Sequence, residues 1–101
     1  MDKKMIENYL TSLIGRFYKI LPIKESGETS LSKYVGSLQR EMLGCGALVE
    51  AIGHDELYLC LLATLQYLID NKDCETAVVK SEVFKSINIC KKLIRKHVGE
   101  E

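Results

Sequence analysis

The chain has 101 residues, and with 47% of them hydrophobic it can bury one modest core in a single domain. Its 14 Lys and Arg balance 14 Asp and Glu, which excludes a globally basic nucleic-acid binder. A single proline and no low-complexity tract exclude a disordered chain, the ends aside.

The charge balance is not uniform. Residues 1–40 carry a net +3, residues 41–75 −6, residues 76–98 +5 and residues 99–101 −2. Such blocks allow like chains to meet plus to minus.

The spacing predicts a first helix over 2–21. Met5, Ile6, Tyr9, Leu10, Leu13, Ile14, Phe17, Ile20 and Leu21 recur at helical intervals, Asp2 can cap the start and Pro22 stops the end. Residues 22–30, with the turn signal Ser26-Gly27, read as a surface loop under which Ile23 tucks.

A second helix is expected over 30–52. Leu31, Tyr34, Val35, Leu38, Met42, Cys45, Val49 and Ile52 form one seam, with Thr29 or Ser30 as cap. Gly36, Gly44 and Gly46 each cost a helix roughly 1 kcal/mol relative to alanine. The seam does not slip across them, so the helix is expected to continue, with a kink at most. Gly53 then reads as a left-handed C-terminal residue and Asp55 as the next cap, which makes a tight antiparallel hairpin.

The stretch Asp55–Asn71 is the most apolar of the chain. Leu57, Tyr58, Leu61, Leu62, Leu65, Leu68 and Ile69 fill one arc, and Leu59, Ala63 and Tyr67 lie opposite. A helix apolar nearly all round must be covered nearly all round. It is therefore expected at the centre of the bundle, wrapped by its neighbours or by a copy of itself. Gly36, Leu43 and Ala47 of the second helix form a small-residue flank that would complete a dimer face with Leu59, Ala63 and Tyr67.

The last helix is expected over 81–98, capped by Ser81, with Val83, Phe84, Ile87, Cys90, Ile94 and Val98 on its inner face. Lys85, Lys92, Arg95 and Lys96 line the opposite side, together with Asn88. Such a stripe suits an acidic partner or a phosphate backbone, or is simply a solvated face near the negative helix end. No aromatic residue interleaves with the lysines, so base stacking has no support.

Candidate chemistry is thin. Asp70, Asn71 and Asp73 do not extend into a calcium loop, since Glu75 and Ser81 stand where that loop needs Gly and Glu. No C-x-x-C exists, and Cys45, Cys60 and Cys90 read as small core residues, with Cys74 the thiol expected at the surface. His54-Asp55 alone is too little for a metal hydrolase, and Gly-His-Asp reads as a tight turn. No nucleophile elbow, phosphate loop or paired Glu/His motif is present. Tyr18 and Tyr67 are the tyrosines expected near the surface. MDKKMIENYL lacks the apolar core of a signal peptide, and no apolar run is long enough for a membrane span.

The expectation is thus an all-α compact bundle of about four helices, near 2–21, 30–52, 55–71 and 81–98. The expected function is that of a small cytoplasmic protein-interaction module (adaptor, inhibitor or regulator) that self-associates, with no catalysis, cofactor or metal. The alternative is a nucleic-acid-associated regulator using Lys85, Lys92, Arg95 and Lys96.

Overall fold

Ile6, Leu10, Leu13 and Phe17 form a buried stripe along the first helix, α1 (Lys3–Tyr18). The computed structural model describes residues 3–26, 30–48, 50–71 and 73–99, with the side chains of residues 30, 47, 48, 50 and 51 excepted. α1 ends at Tyr18 and not at 21. Pro22 has no N–H to give the Tyr18 carbonyl, so the helical ladder breaks there. In a first helical turn that N–H would have no partner anyway, and proline is well tolerated. The chain accordingly turns at Lys19 and restarts as α2 (Ile20–Glu25), with Pro22 inside it. The loop expected over 22–30 is therefore partly helical, with Ile20 fully buried and Ile23 half-buried.

α3 (Ser30–Leu48) runs unbroken through Gly44-Cys45-Gly46, in line with its unslipped seam. It buries Leu31, Val35, Leu38 and Met42. Val49, expected on the same seam, lies outside the described residues, as do the caps proposed at Asp2 and Thr29. Gly44 has nothing within 4 Å of where a Cβ would stand. Gly44→Ala is expected to stabilise the chain by about 0.5–1 kcal/mol. Thermal unfolding would register this as a midpoint a few degrees higher; a lower midpoint would contradict a regular, solvent-facing helix at that position.

A short helix, α4 (Glu50–Gly53), follows, and α5 (Glu56–Asp70) starts after Asp55. Asp55 caps it as expected, its Oδ1 accepting the Leu57 N–H at 2.8 Å. Gly53 departs from expectation. It is helical, and among the described residues the only positive φ belongs to Gly99. Its value lies in space: a Cβ on Gly53 would overlap the Gly46 carbonyl oxygen. The two glycines let α4 lie directly on the last turns of α3.

The final helix, α6 (Thr76–His97), begins earlier than 81. Val79 is fully buried alongside Val83, Ile87, Cys90 and Leu93 and extends the same inner face by a turn, with Val78 half-buried and Ala77 exposed, while Phe84, expected on that face, stands exposed at its margin beside Tyr18. Ser81 is exposed on the outside of α6 and does not cap it.

Four long helices and two short ones, with no strand among the described residues, make an all-α bundle. Its hub is α6, not the apolar α5. α6 packs on α1, α2, α4 and α5, whereas the main long neighbours of α5 are α3 and α6. The bundle is closed between α1 and α3 by Arg16, which forks onto both Glu41 carboxylate oxygens at 2.8 Å, and by the Tyr34 hydroxyl, which donates to the Arg16 carbonyl at 3.0 Å.

Candidate functional site

In a bundle of four helices each member has two main neighbours and an outward flank. The inward stripe of α5 is the narrow series Tyr58, Leu61, Leu65 and Leu68. Leu57, Leu62 and Ile69 are half-buried at its margins. Beyond them the helix is bare: Leu59 is 49% exposed, Tyr67 43%, and Ala63 and Cys60 are open as well. Of the two expected coverings of α5, its neighbours in the chain or a second copy, the first is thus corrected. The single molecule lacks a helix to place there, since α1 and α2 are occupied against α6.

Two grooves flank this exposed strip. On the α3 side a groove of about 250 Å³ is lined by Leu43, Leu59, Leu62 and His54. Leu43 is 56% exposed. On the α6 side a groove of about 380 Å³ is lined by Cys60, Ala63, Tyr67 and Ile89 and rimmed by Glu82 and Lys85.

The structure therefore brings Leu43 and Leu59 to one groove and Ala63 and Tyr67 to the other. Gly36 belongs to neither; it is half-buried, and a Cβ there would lie 3.7 Å from the Arg40 guanidinium. The side chain of Ala47 lies outside the described residues. Cys60 was expected in the core and stands at the surface instead, while Cys74 is half-buried rather than exposed. Cys60 lies three residues before Ala63 and so shares its flank, and it is exposed with it.

The basic stripe exists as expected: Lys85, Lys92, Arg95 and Lys96 are all exposed on α6. Lys85 and Lys96 each meet a carboxylate of the chain. Lys85 pairs with Glu82 at 2.8 Å, and Lys96 with Asp55 at 2.8 Å. His97 reaches the same Asp55 oxygen, also at 2.8 Å. Burial alone would raise the Asp55 carboxyl. The Lys96 ammonium, the Leu57 N–H and the His97 ring outweigh it and hold the group down at about 2.

Behind the α3 groove sits a tyrosine pair that periodicity did not reveal. The Tyr58 hydroxyl donates to the Met42 carbonyl at 2.7 Å, and the Tyr9 hydroxyl donates to the Tyr58 oxygen at 2.8 Å. Burial pushes the Tyr58 phenol up to about 12 and raises Tyr9 as well, the latter reinforced by its bond to Tyr58. Both hydroxyls are neutral, structural groups at ordinary pH. The Cys90 thiol, raised to about 12 by burial, is likewise no nucleophile there.

Among the described residues no three His, Cys, Asp or Glu side chains converge as a metal site. No described helix is long and apolar enough to cross a membrane. What the surface offers is an apolar helix flank with grooves on either side, beside a row of cations. No family model, curated protein or solved structure matches the chain.

Proposed function

We propose that this protein is a non-catalytic helical interaction module, of the adaptor, inhibitor or regulator kind, that docks and self-associates through the outer flank of α5. One observation carries the reading: of the six large apolar residues exposed among the described residues, Leu59 and Tyr67 stand on that flank and Leu43 faces Leu59 across the groove beside it. Scattered apolar side chains need no explanation, but a contiguous set beside two grooves is the usual mark of a contact surface. Of the remaining exposed residues, Tyr18 and Phe84 already satisfy one another, edge to face at 6.0 Å between ring centres. Four free thiols suit a reducing compartment, and the cytoplasm is the proposed location.

The alternative, docking of nucleic acid on Lys85, Lys92, Arg95 and Lys96, is favoured by the exposure of all four. It ranks second because Lys85 and Lys96 already serve carboxylates of the same chain.

The test is sedimentation of the wild type and of the double variant Leu59→Glu/Tyr67→Glu at tens of micromolar. The wild type is expected at the mass of two chains and the variant at one, with unchanged helical circular dichroism. Loss of helix in the variant would show the flank to be core. A wild type at single-chain mass that binds a labelled duplex more weakly as salt rises would turn the assignment to nucleic acid.

A further inference from the structure

We infer that the occupant of the α5 flank is a second copy laid antiparallel to the first, about a two-fold axis passing at Ala63. This rests on the docking function proposed above and adds its partner's placement. Around Ala63 the exposed residues are arranged nearly as a palindrome. Cys60 and Gln66 stand three residues to either side, Leu59 and Tyr67 four, Glu56 and Asp70 seven, and all are exposed. A two-fold axis at Ala63 lays Leu59 of each copy on Tyr67 of the other, twice over. The smallest side chain then sits where the helices approach most closely. A two-fold interface requires such a self-complementary patch.

Charge decides the direction. Asp55, just before α5, meets Lys96 and His97 at the end of α6, so α5 and α6 run antiparallel. The flank therefore has a basic end, where Lys92 is exposed on the last turns of α6 and Lys96 answers Asp55. Its acidic end is the α5–α6 turn, with Asp70, Asp73 and Glu75 exposed. A parallel pair would set acidic turn on acidic turn. The antiparallel pair sets each acidic turn against the basic end of the other copy. Glu56 then nears Asp70 of the second copy, and the cations of α6 beside it offset that repulsion. These rim contacts are solvent-facing, so the association should weaken as salt rises.

The experiment places a cysteine on the axis, Ala63→Cys, in a Cys60→Ser background that supplies the baseline. The probe is a short bis-maleimide spanning roughly 8–10 Å, the separation of packed helices. A covalent dimer is expected at position 63 and none above baseline for Lys33→Cys on the outside of α3. In a second arm, Lys92→Glu should raise the dissociation constant by about tenfold, and adding Asp73→Lys should restore it. A dimer by sedimentation that does not cross-link at 63 overturns this axis and leaves the α5 flank as the docking face. Charge reversals without compensation overturn the antiparallel direction. A wild type that stays at single-chain mass overturns the second copy as occupant.

Discussion

Tyr58→Ala is expected to lower stability by about 3–5 kcal/mol, against a total on the order of 5–15 kcal/mol for a domain of this kind. Tyr58 is fully buried and among the largest side chains in the core. Its ring packs where a Cβ on Gly46 would come within 3.1 Å, and its hydroxyl joins α5 to the Met42 carbonyl of α3 and to Tyr9 of α1. Truncation would leave a cavity where three helices meet and remove both hydrogen bonds. Tyr58→Phe separates the terms: it keeps the ring and is expected to lose only about 1–2 kcal/mol, the worth of those two hydrogen bonds. Urea unfolding of the two variants checks the ratio. Equal losses would mean that the hydroxyl, not the packing, holds the site. The same burial gives an alkaline limb. Because the folded pKa is raised from 10.0 to about 12, the stabilisation is intact below pH 10 and declines as pH climbs toward 12.

The second large effect is expected at Asp55. Asp55→Ala removes the α5 cap and the shared carboxylate of Lys96 and His97 in one step. A lost cap costs about 1 kcal/mol. The carboxylate is only 3% exposed, so the ion pairs add to that, but Lys96 is 58% exposed and its share is reduced by solvent screening. A combined loss of about 2–3 kcal/mol follows. Asp55→Asn retains an oxygen for the Leu57 N–H and should lose only the charge-dependent part. The depressed carboxyl also predicts an acid limb. Its stabilisation is complete above 3.8, the ordinary value, and is lost as pH falls through about 2. Urea midpoints measured from pH 5 to pH 2 should fall for the wild type and stay flatter in Asp55→Asn. Parallel slopes would place the acid-labile group elsewhere.

These two sites mark where sequence reasoning stops. Asp55 as a cap was legible, because capping is settled within one turn of chain. That His97, 42 residues away, closes on the same carboxylate was not. Tyr58 was legible as a core position from its stripe. Its bonds to Tyr9 and Met42 depend on how α1, α3 and α5 pack. Gly53 was legible as a helix end, and its reason was misassigned. Positive φ is the common reason for a terminal glycine, whereas here the requirement is close approach to Gly46.

By itself the sequence determined that the chain is all helical. It also determined most of the stripe by which each long helix faces inward, Met5 and Phe84 excepted, and that α3 passes through its glycines unbroken. Those are consequences of periodicity, which is local to each helix. Tertiary structure alone decided that α6 is the hub and that Pro22, besides ending α1, sits in the first turn of a further helix. It alone decided that α5, the most apolar helix, keeps a flank in the open. The number of neighbours a helix acquires depends on how many helices the chain has to give and in what order they pack. No hydrophobic pattern within one helix contains that information.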